Sequence, residues 1–530
     1  MTLITFNPSA SAMALALLTG GCDALWSHEI DRCERTASCE YLRSVGEGGG
    51  TPAVCVPTED GQAIDASCGV FANASAAEGG DGTKARPFAS LQEAINTAGS
   101  RRIYACAAEG AAFAEAVTIA EDSEIYGGFD CEAWTWRASA RSAIEGPADR
   151  VALTLTEGAS RASVQGFAIR AASALKSGGS SIGVSVADVE AELVRVDVTA
   201  GDGMDGEHGT TPTEAPVAGA SAEEMRASNA CAAPNLVIGG TAGTTTCEDG
   251  ETRGGDGGNG GITGSEEGNG QAGRDGEPMP EPNPDAYGLG GRGQTVLAGT
   301  CREGAPGAPG APGAPGRASN ETELTLVGIS GGDGGRGMTG SRGQGGGGGG
   351  GTKSGMFCSL GSTLLDGVGA SGGGGGAGGC GGKGGGGGKA GGSSVGILSL
   401  GTKLVLTQVT VAVGKAGNGG DGSAGQNGAN GGAGTAGGAA SENPPSIPGC
   451  DGGRGGRGGA GGPGGGGRGG HAVGIAYAAA PSAAPQVMQF TAGMAGDGGK
   501  AGLGGPPESA GAPGASGVCW NFATDESCGQ

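Results

Sequence analysis

Large rings are scarce in this chain: aromatics are 3 % of its 530 residues, which excludes a core built on them. Histidine occurs only as His28, His208 and His471, far apart and without metal-ligand neighbours, so local packing or solvent exposure accounts for them. Positive charge is also short. The 31 basic residues face 54 acidic ones, a net charge of −23. Nucleic-acid binding rests on Lys and Arg neutralising phosphates, so that class is excluded, and docking on anionic lipid is disfavoured. Such a balance suits solubility or divalent cations. No CxxC pair occurs, which argues against zinc and thioredoxin-type sites. No apolar run after the N-terminus approaches the roughly 20 residues of a membrane span. GxGxxG recurs throughout the glycine tracts, where it carries no dinucleotide signal without a strand–helix context. In GGGTKS (349–354) Thr352 separates glycine from Lys353, so a P-loop fails. GGDGGNGGI (254–262) lacks the apolar residue of a calcium nonapeptide. No cofactor is expected, with Ca2+ only weakly supported.

What the chain has is glycine, 127 residues of it, and 15 cysteines spread along its length. Scattered cysteines imply disulfides and an oxidising compartment. The odd count leaves one over. MTLITFNPSASAMALALLTGGC (1–22) resembles a bacterial lipoprotein signal, with 1–21 the signal peptide and Cys22 the lipidated residue, although no Lys or Arg precedes Arg32 and Thr19 stands where Leu is usual. Fourteen cysteines then remain for bridges. The resemblance implies export and a lipid anchor as the membrane contact.

Residues 22–68 are polar and read as a cysteine-containing head or linker. Residues 69–200 change character. After Pro87, Leu91, Ala94, Ile95 and Ala98 share one helical face. Short alternating runs follow at 102–107, 114–120, 123–129, 151–158, 163–171, 182–189 and 191–200, with no long helix between them. A sandwich or a parallel β-helix would bury such strands. Cys106 and Cys131 are 25 residues apart, about one coil of a β-helix, so a bridge is expected there. The other disulfide candidates are Cys231, Cys247, Cys358, Cys380, Cys519 and Cys528.

The stretch 69–98, GVFANASAAEGGDGTKARPFASLQEAINTA, resembles the entry to pectin-lyase-like right-handed β-helices: a strand, a D-G-T turn, then a capping helix. IYGGFDCEAW (125–134) resembles a G-G-F…W signature of such proteins, and the remainder resembles PGRS-type glycine-rich bacterial surface proteins. The resemblance implies a mainly β fold: a right-handed parallel β-helix with one N-terminal capping helix and long glycine-rich insertions. Lyases on that fold use calcium held by carboxylates and a basic side chain. Asp130, Glu132, Glu145, Arg102, Arg137 and Arg141 are the local material, read here as turn and surface ion pairs, and no catalytic residue is assigned. Trp134 and Trp136 are candidates for the core or a sugar-stacking surface.

Beyond residue 200 the chain repeats. GGSSIGVSV (178–186), GGSSVGILS (391–399) and GGHAVGIAY (469–477) share one frame, and ETELTLVGISGGDGGRG (321–337) reads as a fourth, partial copy. A glycine-rich repeat region with returning strands is therefore expected over 201–518, and a tail over 519–530. Within 419–437 glycine falls at every third position. A flexible linker needs no period. An ordered tract of that period is a polyproline II-like helix, stable only against neighbours, which glycine lets approach closely. Polyglycine II-like bundles are the reading taken, and GAPGAPGAPGAPG (304–316) is read as a spacer. The functional expectation is a non-enzymatic structural or interaction protein of a bacterial envelope, touching cell-surface polysaccharide or protein. A pectate-lyase-like or carbohydrate-binding protein is the alternative; ice binding by flat glycine bundles is a third reading.

Overall fold

The computed structural model describes residues 55–59, 61–223, 227–233, 236–264, 267–442, 445–483 and 486–528. The expected signal peptide (1–21), the expected lipidation site Cys22, and His28 lie outside them.

The described chain is mainly β with one α-helix, Leu91–Ala98 (α1). Its start is set by Ser90, whose Oγ accepts the Glu93 N–H, and by Glu115, whose Oε1 accepts the Leu91 N–H at 2.6 Å. Leu91, Ala94 and Ala98 are buried against the first strands.

Three parallel sheets carry the core. Sheet I begins with Gly69–Asn73 and Arg102–Cys106 and runs through Ser123–Phe129, Arg161–Gln165, Glu190–Val194 and Leu404–Thr407. Sheet II contains Ser142–Gly146, Phe167–Ala171, Asp197–Ala200, Thr410–Val413 and Gln489–Thr491. Sheet III contains Val117–Ile119, Leu153–Leu155, Ser181–Val186, Ser394–Ser399, Ala472–Tyr477 and Ser516–Asn521. From residue 123 to 413 the chain visits I, II and III in that order, circuit after circuit. Alternating Val, Ile, Leu and Ala point inward from all three, as at Val164, Ile169 and Val184.

The three full copies of the repeated frame are stacked neighbours in sheet III: Ile182 pairs with Val395 and Val395 with Val473. The frame glycine makes room for the facing sheet. A Cβ on Gly183 would lie 2.4 Å from Val198 Cγ1, one on Gly396 2.3 Å from Val411 Cγ1, and one on Gly474 3.0 Å from Phe490 Cε2. The fourth stretch departs from this. Thr322–Thr325 and Gly328–Gly331 form an antiparallel hairpin outside the parallel sheets, with Ile329 buried beside Val395 and Val473.

All three long glycine-rich excursions leave one corner, after a sheet II strand and before a sheet III strand: 201–393, 414–471 and 492–515. In the circuit before them, nine residues (172–180) suffice. The tracts bond to one another with period three. From Gly417 to Gly438, every third N–H donates to the tract 371–392, as Gly420 to Lys389 and Ala429 to Cys380, both at 2.8–2.9 Å. From Gly449 to Gly470, every third N–H donates back to 417–438. The run Gly345–Gly351 is surrounded. Successive N–H groups donate to Glu277, Gly376, Ala305, Arg274, Gly373, Arg302 and Gln271, while the carbonyls of Gly346–Gly351 accept from Gly255, Gly453, Gly291, Gly258, Cys450 and Gln294. A Cβ on any of these seven glycines would lie 1.9–2.2 Å from a backbone oxygen.

The expected spacer is not one. Gly304, Gly307, Gly310, Gly313 and Gly316 donate to Asp451, Arg454, Arg457, Ala460 and Pro463, and the alanines between accept from 338–347. Pro306, Pro309, Pro312 and Pro315 are exposed. Each proline occupies the column that faces water, where the missing N–H removes nothing.

Candidate functional site

The residues a β-helix lyase would use are dispersed. Arg102 Nε bonds Glu124 Oε2 at 2.8 Å on sheet I, Arg141 pairs with Asp197 at 3.1 Å, and Glu145 pairs with Arg170 at 3.1 Å on sheet II. Asp130 closes a turn, accepting the N–H groups of Ala133 and Glu132, which hold its carboxyl below the usual range. Trp134 and Trp136 are both buried, with the Arg195 guanidinium 4.4 Å from the Trp136 ring. A groove of about 500 Å³ on sheet I is lined by Arg101, Arg102, Glu124 and Ser163, among others. Its arginines are engaged: Arg102 with Glu124, Arg161 with Glu190, and Arg101 with the Ala98 and Thr97 carbonyls.

Two histidines have structural partners. His208 Nδ1 accepts the Asp421 N–H at 2.9 Å. His471 is fully buried, and its Nδ1 accepts the Ala515 N–H at 2.9 Å. The proton therefore sits on Nε2, 3.1 Å from Thr322 Oγ1. Burial, with the Arg468 charge adding to it, pushes the ring pKa down to about 3.

The cysteines form six bridges among the described residues. Cys55 pairs with Cys68, Cys106 with Cys131, Cys231 with Cys358, Cys247 with Cys380, Cys301 with Cys450, and Cys519 with Cys528. Cys247–Cys380 links a short hairpin to the tract 371–392.

Two bridges, Cys231–Cys358 and Cys301–Cys450, staple the end of the tracts remote from the sheets, and that end carries an apolar tip. There Gly355–Leu360 and Thr363–Gly367 form a two-stranded antiparallel hairpin. Among its residues only Phe357 and Gly367 are buried. Leu360 is 74 % and Met356 62 % exposed, with Leu364 and Leu365 exposed on opposite faces. Val296 and Leu297 lie exposed at the hairpin base, where a Cβ on Gly355 would meet Leu297 Cδ2 at 3.1 Å. Ser441 Oγ donates to the Phe357 carbonyl at 2.8 Å, fixing the first strand, while among the described residues the second pairs only with the first. The exposed acids here are Glu267, Asp366 and Glu442. The one lysine, Lys353, has its ammonium on the Glu267 carbonyl and on Asn269 Oδ1. Sequence reasoning missed this tip. Its signal is MFCSLGSTLLDGV (356–368), an aliphatic run set between two glycine tracts. No family model, curated protein or solved structure matches the chain.

Proposed function

We propose that this chain is a non-enzymatic structural or interaction protein of a bacterial cell envelope: exported through its N-terminal signal, lipid-anchored at Cys22, and built to hold an apolar tip away from the cell. In this reading the three sheets are the faces of a right-handed parallel β-helix. Support comes from the parallel pairing of all their strands except the terminal Glu526–Ser527, the fixed cyclic order of visits and the right-handed rule for parallel crossovers. The tracts are polyglycine II-like rods. From residue 393 to 370 such a rod spans about 70 Å at ~3.1 Å per residue.

The observation that carries the reading is the period-three hydrogen-bond network, because it turns glycine-rich sequence into a stiff support with the aliphatic hairpin at its end. Every glycine of the long tracts has its close neighbour within the same chain. The rods therefore pack against one another within the chain, and in this reading recognition falls to the tip. The dispersed ion pairs of Arg102, Arg141 and Glu145 fit a scaffold better than a reaction centre.

The test is expression of the full chain in a bacterium with an outer membrane, with radiolabelled palmitate and mild protease applied to whole cells. Label on the wild type, none on Cys22→Ser, release of that variant from the membrane fraction and cleavage of hairpin residues on intact cells are expected. Retention of unlabelled wild type in the cytosol overturns the proposal.

A further inference from the structure

We infer that the open edge of Thr363–Gly367 takes up an extended strand of a partner protein, one with alternating apolar residues and basic flanks. This rests on the display reading, since it needs the tip to face outward. Three features of the tip point the same way. Among the described residues the strand has a bonding partner on one side only. Unpaired strand N–H and C=O groups template another strand, and natural edges are usually blunted by lysine or proline. The hairpin has neither; its irregularity lies in the other strand, between Met356 and Cys358, and the edge strand's one charge is Asp366. Next, Leu364 and Leu365 expose apolar surface on both faces, so an added strand would find side-chain contacts above and below the new ladder. Third, Cys231–Cys358 and the Ser441 bond to Phe357 hold the other strand in place. A preorganised edge loses little conformational entropy on pairing.

Charge and composition select the occupant. Asp366 on the strand, with Glu267 and Glu442 nearby, favours basic flanks on the guest. The same acids disfavour a second copy of this tip, which would bring Asp366 towards its equivalent. A bilayer suits the site poorly. Hydrocarbon would leave the edge amides unsatisfied, at several kcal/mol each. The hairpin also lacks the Trp, Tyr, Lys and Arg that anchor proteins at lipid interfaces. Sugar rings stack on aromatic faces, and the one ring of the hairpin, Phe357, is buried.

The test uses the full oxidised protein and a short synthetic peptide of alternating leucine and threonine flanked by lysines, with binding followed by fluorescence anisotropy and site-resolved amide exchange. Saturable binding should slow exchange at residues 363–367. It should weaken at least tenfold for the Leu364→Ser/Leu365→Ser double variant, and for a peptide with proline at alternate positions, which lacks half the N–H donors. Amides of the tract 423–435 report separately on the support. If they stay protected while the peptide fails to bind, or binds the double variant equally, strand addition is overturned and the display reading stands. If 423–435 are unprotected, both fall. Protection of 363–367 by phosphatidylcholine vesicles instead, or by self-association at rising concentration, overturns the inference in favour of lipid or of a second copy.

Discussion

At Gly428 a methyl group has nowhere to go. Its Cβ would lie 2.0 Å from the Gly458 carbonyl oxygen, and the glycines at 419, 422, 425, 431, 434 and 437 meet the same tract at 2.0–2.2 Å. The neighbouring side chain, Asn427, is exposed. Gly428→Ala should therefore push two rods apart and cost about 2–3 kcal/mol, as overpacking does. Asn427→Ala should change stability by no more than about 0.5 kcal/mol. Denaturation midpoints of the two variants decide it; equal effects would mean the tracts do not pack as described. A second residue ties stability to pH. His471 titrates near 6.5 when exposed and near 3 in the fold, so the unfolded chain takes up a proton that the buried ring refuses. Its contribution is fully present above pH 6.5 and falls away as pH drops towards 3. The loss is about 2 kcal/mol at pH 5. His471→Asn keeps an acceptor for Ala515 but does not titrate, and should flatten stability between pH 6.5 and 5. A wild type already flat across that window would refute the neutral buried ring.

At the scale of the element, each tract obeys one rule: a column is glycine only where another rod lies against it. In 452–470 one column is glycine throughout and a second is glycine up to Arg468, whose N–H donates to Gly332. The third reads Arg454, Arg457, Ala460 and Pro463, then Gly466 and Gly469, and the change comes where Ser509 and Ala512 begin to accept its N–H groups. In 331–351 the pattern becomes unbroken glycine at 345, where 253–261 and 288–294 join as neighbours. The rule makes amide exchange periodic. Ser423, Gln426, Ala429, Gly432 and Thr435 donate to carbonyls, whereas Asn427, Gly428, Asn430 and Gly431 have no bonded acceptor among the described residues. Slow exchange at every third residue, resolved by NMR, is expected in place of uniform protection or none; uniformly fast exchange would leave only a linker. Much of this was legible in the sequence. The glycine phase at 419–437, the sheet III frame and the α1 face can be read directly, because each repeats within a few residues. The GAPG rod and the fate of 321–337 were not. Whether a face is covered depends on partners such as 451–463, 147 residues away from the GAPG rod, and local pattern holds no record of them. The tip was illegible for a related reason: an aliphatic run looks like core until its neighbours fail to bury it.

Across the whole molecule, pairing is strongly non-local. Gly203, Gly206 and Gly209 donate to Lys415, Asn418 and Asp421, 212 residues on. Rods that differ mainly in length and phase could pair in many wrong registers, and closing such loops is slow. The long bridges restrict that search. Cys231–Cys358, Cys247–Cys380 and Cys301–Cys450 span 127, 133 and 149 residues, and each joins segments that lie side by side in the bundle. In the chain-entropy account each contributes about 4–5 kcal/mol by constraining the unfolded chain. Kept through denaturation, they also preserve the register information. Protein unfolded in guanidinium with bridges intact should therefore regain slow exchange at Ser423 and Ala429 on dilution. Reduced and alkylated protein should recover protection, if anywhere, in the parallel sheets of 102–200, whose strands pair with neighbours one circuit away. Equal recovery of the tract by both samples would show that glycine phase alone sets the register and that the bridges only reinforce it.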